Sequence, residues 1–342
     1  MSEPAERPPR RPRYGGNNPR RFEQKYKEHD PARYPDTVAK VIAGGKTPAG
    51  SHLPILMEEC LVALALRAGG IGVDATLGHG GHAARILEQI TPGGKLLGLD
   101  VDPLELPKTL ARLRALGFGE DAFEALRFNY AGIAKVLATR GLDGVDFVFA
   151  DLGCSSMQLD DPLRGFSFKS AGPLDMRMNP TRGPSAAEWL AKVSAAKLET
   201  ALREHADEPR AAGLAAALAG RNFSNTLALA DAVRDCLGRL DDEVVDLTLR
   251  RVFQAVRIAV NEEFSALEAF LRALPDCLKP GGLAVVLTFH SGEDRRVKKA
   301  FQAALRSGAF SRISDGVVTA TAEERRLNPR SSAAKLRWAI KA

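Results

Sequence analysis

The sequence predicts an α/β fold in which a largely parallel sheet is covered by helices on both faces and interrupted by a helical insertion. Three observations lead to this prediction. Short, continuously apolar runs alternate with helical segments from residue 52 onwards, the pattern of strands buried on both faces. Three of these runs end in an aspartate. Residues 185–250 contain no strand-like run and are rich in Ala, which indicates helices.

The individual elements follow from apolar periodicity and from the turn residues between them. A capping box at Ser185–Glu188 opens the helical insertion. The expected helices are Leu56–Leu66, Ala83–Ile90, Leu104–Leu116 and a longer one around Val252–Leu274. The expected strands are Ile71–Asp74, Leu96–Asp100, Val145–Asp151, Leu283–Phe289 and Lys335–Ile340, the last pairing antiparallel at the edge of the sheet.

The expected organisation has three parts. Residues 1–50 form a basic, Pro- and Arg-rich arm with few aliphatic residues, and we expect it to be disordered until it meets a partner. Residues 51–164 and 251–342 form the α/β domain, and residues 165–250 form the helical insertion.

The net charge of +6 is distributed unevenly along the chain. Residues 1–50 carry 11 Lys and Arg against 6 Asp and Glu, and residues 290–342 carry 12 against 5. The segment between them is acidic, with 25 against 31. Basic ends around an acidic centre favour a polyanionic partner such as nucleic acid, although basic tails also serve solubility alone.

Composition excludes several classes of protein. With 45% hydrophobic and 26% charged residues, the chain is typical of a globular protein. Its longest apolar runs fall short of the roughly 20 residues that cross a bilayer, so no membrane association is expected. The four cysteines, at positions 60, 154, 236 and 277, have neither metal-type spacing nor a disulfide framework. A reducing cytoplasm is therefore the expected location.

A first group of candidate residues surrounds the turn after strand Ile71–Asp74. Glycines at the start of a helix let a ligand approach the backbone closely, and an acidic residue ending the next strand can bind ribose hydroxyls. This pattern fits a dinucleotide or S-adenosylmethionine. Aspartates at three strand ends would repel a diphosphate and attract a sulfonium, which favours S-adenosylmethionine. In the alternative interpretation the glycines form only a tight turn and Asp100 is a helix N-cap. The group comprises Asp74, Gly78, Gly80, Gly81 and Asp100.

Asp151 ends the strand Val145–Asp151 and begins an irregular, Gly- and Pro-rich segment that extends to Gly183. An acceptor at such a strand end can bind the exocyclic amine of a nucleobase and localise its lone pair for methylation. Phe166 or Phe168 could stack on an extruded base, although aromatic pairs of this kind are more often core residues. The segment is too apolar for disorder and is expected to be an ordered active-site loop.

The chain resembles the small-subunit ribosomal RNA cytosine-N4 methyltransferases, the family called RsmH or MraW. The resemblance extends from about His52 to the C-terminus. It implies a class I S-adenosylmethionine-dependent methyltransferase fold, Rossmann-like, with an inserted all-helical domain that helps to recognise RNA. The motifs that carry it are Asp74–His82, Asp151–Gln158, Asp160–Phe168, Gly172–Met178, Phe253–Ile258 with Asn261, and Phe289–Asp294.

The resemblance also implies site residues. Contacts to the methyl donor are expected from Gly80, Gly81, His82, Asp100, Asp151 and Gln158, with Tyr130 packing near the adenine. The basic arm, the stretch Asp246–Arg251 and a short segment after Asp294 depart from the usual family pattern. These departures fall where RNA contacts are expected.

Further candidates follow from their positions near this pocket. Asp151, His290 and Asp175 are the candidate catalytic residues, and Arg177, Arg257, Asn261 and Phe166 are the candidate substrate-binding residues. Asp175 and Arg177 suit a role in ordering the loop or positioning the substrate better than a role as a proton-transfer pair.

Several of these positions have competing interpretations. Arg250, Gln254, Arg257 and Asn261 share one helix face, which suits contacts to RNA or a salt-bridged surface. A metal at His79 and His82 is not expected, because no further ligand set accompanies them. Cys154 is expected to be a small buried residue rather than a nucleophile.

The sequence therefore predicts transfer of a methyl group from S-adenosylmethionine to the N4 amine of a cytidine in small-subunit ribosomal RNA, free or in the assembled subunit. Two alternatives remain. The chain could methylate another RNA or another atom, or it could bind RNA during ribosome assembly without catalysis. The protein is expected to be a monomer or a homodimer.

Overall fold

The computed structural model describes residues 54–342. The expected arm over residues 1–50 lies outside the described residues. Within the described part, no helix is long and apolar enough to cross a membrane.

A seven-stranded sheet forms the centre of the α/β domain, in the order β3-β2-β1-β4-β5-β7-β6. Strands β1 to β5 pair in parallel, and β7 runs antiparallel to both of its neighbours. This is the Rossmann-like sheet of class I S-adenosylmethionine-dependent methyltransferases, as predicted. The strands are β1 Ile71–Asp74, β2 Lys95–Asp100, β3 Phe123–Arg127, β4 Val145–Asp151, β5 Leu278–Thr288, β6 Phe310–Ile313 and β7 Lys335–Lys341.

Thirteen α-helices accompany the described strands. Eight of them lie in the α/β part of the chain or in the loop after β4: α1 Met57–Leu64, α2 Gly81–Ile90, α3 Leu106–Ala115, α4 Ile133–Ala138, α5 Ser156–Asp160, α11 Glu263–Ala273, α12 Ser291–Arg306 and α13 Ala322–Leu327. The other five follow the long loop: α6 Ala186–Lys192, α7 Ala195–Ala206, α8 Ala211–Leu218, α9 Thr226–Leu237 and α10 Asp242–Asn261.

Both faces of the sheet are buried under apolar clusters. Along β4, Val148 and Ala150 belong to the cluster under α4 and α11, whereas Phe147 and Phe149 belong to the cluster under α1 and α2. Successive side chains of a strand point to opposite faces, so a strand covered on both sides must be apolar throughout. This explains why β4 is apolar from Phe147 to Ala150, between the partly exposed Asp146 near its start and Asp151 at its end.

Helices α6 to α10 form a helical body with an apolar cluster of its own. Its core includes Leu190, Leu202 and Val233, and it also receives Phe166 and Met176 from the loop after β4. The capping box at Ser185 and Glu188 is present and opens α6 as predicted.

Three expectations about the elements were wrong. Strand β7 is not the edge of the sheet, because β6 pairs with its outer side. Strands β3 and β6 were not expected at all. The helix expected around Val252–Leu274 is two helices, because Glu262 adopts a left-handed conformation (φ 51°) that ends α10 and starts α11.

Candidate active site

Acidic side chains collect along one edge of the sheet. Asp74, Asp100 and Asp151 are the last residues of β1, β2 and β4, and His290 follows β5 by two residues. These strands are parallel neighbours, so their carboxyl ends lie side by side. Ligands of open α/β sheets bind at this edge, which makes it the candidate active site.

The glycine turn before α2 is fixed from both sides. The Gly78 amide donates to Asp100 Oδ2 at 2.8 Å, and Thr109 Oγ1 donates to the Gly78 carbonyl at 2.6 Å. Gly80 has φ 77°, and a Cβ there would lie 2.7 Å from Thr109 Cγ2. Glycine at position 80 is therefore already required by packing against α3.

Asp100 holds two backbone segments together. Its Oδ2 accepts from Gly78, and its Oδ1 accepts from the amide of Asp102 at 2.8 Å. Each oxygen keeps a further lone pair, so the contact with ribose hydroxyls stays a prediction that this geometry permits. The alternative interpretation of Asp100 as a helix N-cap is wrong, because the N-cap of α3 is Glu105.

His82, near the start of α2, faces Asp151. Its Nε2 lies 3.1 Å from the carbonyl oxygen of Ile55, and its Nδ1 lies 3.5 Å from Asp151 Oδ2. Burial lowers the pKa of His82 to about 4, so the ring is neutral at pH 7. A carbonyl oxygen only accepts, so Nε2 carries the hydrogen and Nδ1 presents a lone pair to Asp151. The ring also packs on Phe149, with centroids 4.7 Å apart.

Asp151 has an unused acceptor. Its amide donates to Thr76 Oγ1 at 2.6 Å, which fixes the backbone at the end of β4. Its Oδ1 is buried and has no hydrogen-bond partner among residues 54–342. Burial, together with Asp74 and Glu293, raises the pKa of this carboxyl well above its usual value. A buried acceptor without a partner is costly, so this oxygen is suited to a donor group on a ligand.

Asp74 adds to the negative charge of the pocket. It is 1% exposed, and the amide of Thr76 donates to its Oδ1 at 3.1 Å. Burial, with a contribution from Asp100, raises the pKa of Asp74 to about 7. A cationic ligand would relieve this accumulation of carboxylates.

His290 and Glu293 close the pocket on the β5 side. His290 is the N-cap of α12, where its Nδ1 accepts from the Glu293 amide at 3.4 Å. Its Nε2 lies 3.1 Å from Glu293 Oε1, and Glu293 Oε2 accepts from the Phe289 amide at 2.8 Å. Burial raises the pKa of Glu293, but His290, the Phe289 amide and the charge of Arg257 together outweigh it, and the net shift is downward. Sequence reasoning missed Glu293, whose signal was its place in the motif Phe289–Asp294.

Arg257 is buried in an ion pair. Its Nε and Nη2 donate to the two carboxylate oxygens of Glu263, each at 2.9 Å, and its Nη1 donates to Cys154 Sγ at 3.2 Å. Burial raises the pKa of the Cys154 thiol, which agrees with the expectation that it is not a nucleophile. Tyr130 packs edge-on against Phe270 at 5.4 Å.

The candidate residues of the long loop bind one another. Arg177 donates from Nε and Nη2 to the two oxygens of Asp175, each at 2.7 Å, and from Nη1 to the Gly183 carbonyl at 3.0 Å. These contacts order the loop, one of the two roles considered for this pair. Phe166 is 6% exposed and lies in the core of the helical body, while Phe168 packs edge-on against Phe253.

Other candidates also have partners within the protein. Gln158 forms a capping box with Ser155 and donates from Nε2 to Asp102 Oδ2 at 2.8 Å. On the stripe of α10, Arg250 is exposed and pairs with Asp246, and Gln254 donates to the His205 carbonyl at 2.8 Å. Among the described residues, no group of three metal-ligating side chains was found.

Several proteins of known name are similar to this chain over most of its length. A protein of Lachnoclostridium phytofermentans, named ribosomal RNA small subunit methyltransferase H 1, is 46% identical over 97% of this chain and 93% of its own length. A protein of Alkaliphilus metalliredigens, named ribosomal RNA small subunit methyltransferase H 2, is 44% identical over the full length of both chains. One from Burkholderia vietnamiensis, named ribosomal RNA small subunit methyltransferase H, is 41% identical over 76% of this chain and 83% of its own.

The family model of the MraW methylases matches residues 49–342. The family model leaves out nearly all of the basic arm at residues 1–50, as expected. The alignment with the Alkaliphilus relative, however, includes the arm. With the family model covering the whole α/β and helical parts, and with relatives above 40% identity, this chain belongs to the MraW methylase family.

Proposed function

We propose that this protein transfers a methyl group from S-adenosylmethionine to the exocyclic N4 amine of a cytidine in small-subunit ribosomal RNA. Family membership and the names of the relatives support a ribosomal RNA methyltransferase. The observation that carries the choice of an amine is the buried, unpartnered Oδ1 of Asp151 at the edge of the sheet.

The residues at the edge of the sheet suit the methyl donor. Gly80, Gly81 and His82 would hold it at the start of α2, and Asp100 would bind its ribose through the lone pairs that remain on its oxygens. The sulfonium and the α-ammonium group are cationic, and the pocket holds Asp74 and Asp151 with carboxyl pKa values raised by burial. When bound, S-adenosylmethionine supplies an electrophilic methyl group on sulfur.

Asp151 would act on the nucleophile. The lone pair of N4 is delocalised into the cytosine ring and must be localised before it can attack. A hydrogen bond from the amine to Asp151 Oδ1 achieves this and satisfies the unpaired oxygen. In the transfer the N4–methyl bond forms and the sulfur–methyl bond breaks, which leaves a neutral thioether, and the proton that N4 loses passes to the Asp151 carboxylate through Oδ1 and from there to water. His82 Nδ1 lies 3.5 Å from Asp151 Oδ2, and because the ring hydrogen is held on Nε2 by the Ile55 carbonyl, His82 leaves both carboxylate oxygens free to accept.

The remaining parts would bind RNA. The helical body lies between β4 and β5 in the chain and packs Phe166 and Met176 of the active-site loop into its core, which supports a role for it in holding RNA. The substrate would be cytoplasmic small-subunit ribosomal RNA, free or in the assembled subunit.

Two measurements test this proposal. Asp151→Ala should abolish transfer of radiolabelled methyl groups to small subunits while leaving the melting temperature of the protein largely unchanged. Asp143→Ala, at an exposed aspartate in the loop before β4, should retain full activity. Unchanged turnover of the Asp151 variant would remove this residue from the mechanism.

Mass spectrometry of ribosomal RNA from a strain without the gene decides the substrate. Loss of N4-methylcytidine from the small-subunit RNA is the expected result. Loss of a different methylated nucleotide would overturn the assignment to N4 of cytidine. If the ribosomal RNA of this strain keeps all its methylated nucleotides, and calorimetry shows no heat of binding for S-adenosylhomocysteine, the protein is a non-catalytic RNA-binding protein instead.

A further inference from the structure

A buried polar network leads away from the donor side of the pocket. Asp102 is 1% exposed, and its amide donates to Asp100 Oδ1, the carboxylate expected to bind the ribose of the donor. Its own Oδ1 accepts from the Leu104 amide at 2.9 Å, which folds the turn after β2 around it. Asp100 and Asp102 are therefore joined by a direct hydrogen bond.

Asp102 is joined to the active-site loop by Arg164. Arg164 Nη1 donates to Asp102 Oδ2 at 2.8 Å, and only 8% of the arginine side chain is exposed. Gln158 Nε2 donates to the same oxygen at 2.8 Å. Arg164 also reaches the later part of the loop. Its Nη2 donates to the carbonyls of Arg177 at 3.1 Å and Met178 at 2.9 Å. One guanidinium thus links the turn after β2 to residues 177 and 178.

The other side of residues 176–178 is held by Asn261, the last residue of α10. Its Nδ2 donates to the Met176 carbonyl at 2.7 Å, and its Oδ1 accepts from the Met178 amide at 2.7 Å. Nδ2 also donates to the Arg257 carbonyl at 2.9 Å. The segment 176–178 is therefore clamped between Arg164 and Asn261.

This segment is a constrained part of the loop. Met176 is fully buried and has a positive φ of 60°, which a methionine adopts only when its surroundings enforce it. Beside Arg164, Gly165 has φ 72° and no space for a Cβ, because the carbonyl of Pro173 lies against it. The clamp holds segment 176–178 in this conformation, and the Arg164 side of the clamp is anchored at Asp102 in the turn after β2.

We propose that Asp102 and Arg164 are positioning residues that couple the methyl-donor pocket to segment 176–178, so that donor and RNA bind cooperatively. This rests on the proposed function. A donor whose ribose binds Asp100 orders the turn at Asp102, and the ordered Asp102 fixes Arg164 and the two loop carbonyls it holds. Because the bound donor has already ordered the loop, RNA binding no longer carries that entropic cost. The affinity of the protein for RNA therefore rises.

The test measures a ratio of affinities in the full-length protein. Small ribosomal subunits from a strain without the gene are titrated with and without saturating S-adenosylhomocysteine. In the wild type, S-adenosylhomocysteine should strengthen subunit binding by about fivefold or more, a typical allosteric coupling. In Arg164→Gln the ratio should fall to about one, although each ligand still binds.

Two further variants keep the test independent of folding. Asp102→Asn retains the shape of the side chain and removes its charge, and it should lower the ratio in the same way. Arg330→Gln removes an ion pair with Asp160 at the end of α5 and should keep the wild-type ratio. Melting curves identify variants that remain folded.

The outcomes separate the inference from the function on which it depends. A wild-type ratio of one, or a wild-type ratio kept by folded Arg164→Gln and Asp102→Asn, overturns the coupling while methylation itself stands. A wild type that binds neither S-adenosylhomocysteine nor small subunits overturns the proposed function instead. Equal weakening of both ligands in the variants, with an unchanged ratio, assigns Asp102 and Arg164 a purely structural role.

Discussion

Replacing Asp74 by Asn should change how the stability of the protein depends on pH. Asp74 is buried at the end of β1, and burial raises its pKa from 3.8 to about 7. The native state therefore binds this proton more tightly than the unfolded chain does. The resulting stability is fully present below pH 3.8 and is lost as the pH rises through about 7.

The magnitude follows from the two pKa values. One pKa unit corresponds to about 1.4 kcal/mol, so the roughly three units at Asp74 set a ceiling of about 4 kcal/mol. Between pH 5 and pH 8, this titration alone removes about 2.5 kcal/mol from the free energy of unfolding of the wild type. Asn cannot ionise, and its Oδ1 still accepts from the Thr76 amide. The free energy of unfolding of the variant, measured relative to the wild type, should therefore rise by about 2.5 kcal/mol from pH 5 to pH 8.

Urea denaturation at pH 5, 6, 7 and 8, followed by tryptophan fluorescence, measures the effect. The difference in unfolding free energy between Asp74→Asn and the wild type should grow steadily with pH. Asp143→Asn removes an exposed aspartate and provides the control, which should keep the wild-type pH dependence. Parallel curves for Asp74→Asn and the wild type would refute the argument that a desolvated carboxyl group at this strand end resists ionisation.

Three further substitutions test other parts of the structure. Glu263→Gln leaves Arg257 buried without its counter-charge and should cost ~3 kcal/mol of unfolding free energy in urea; a loss below ~1 kcal/mol would mean that water reaches the pair. Gly80→Ala forces a Cβ towards Thr109 at a positive φ and should lower stability by ~1–3 kcal/mol and weaken S-adenosylhomocysteine binding in calorimetry; wild-type affinity would contradict the role of this turn. Arg203→Ala removes an exposed ion pair within α7 and should change stability by less than ~1 kcal/mol, and a larger loss would show that the pair is not solvated.

The strands whose bounds the sequence predicts most closely are buried on both faces. Strands β1 and β4 begin and end at the predicted residues, because their apolar runs stop abruptly at an aspartate. The two strands that were missed, β3 and β6, are the two edges of the sheet. Edge strands are only partly covered and mix polar with apolar residues, so Phe123–Arg127 and Phe310–Ile313 give no continuous apolar signal.

The candidate site was predictable where it depended on topology alone. Asp74, Asp100 and Asp151 had to meet, since parallel strands align their carboxyl ends. The partners of Arg257 and Asn261 were not predictable, because they depend on how α10 ends. Glu262 takes a left-handed conformation that its residue type does not favour, and this break turns Glu263 back towards Arg257. Contacts of this kind are set by tertiary packing, which overrides local preference.

Strand β7 lies between β5 and β6 but follows both of them in the chain. During synthesis on the ribosome, β5 emerges first. The whole of α12 and β6 must be made before β7, Lys335–Lys341, can pair with β5. Throughout that interval the apolar β5 presents a row of bare backbone amides and carbonyls, on which a second nascent chain can template. Substitutions that slow the docking of β7 are therefore expected to appear as aggregation during translation, even when the finished protein is as stable as the wild type.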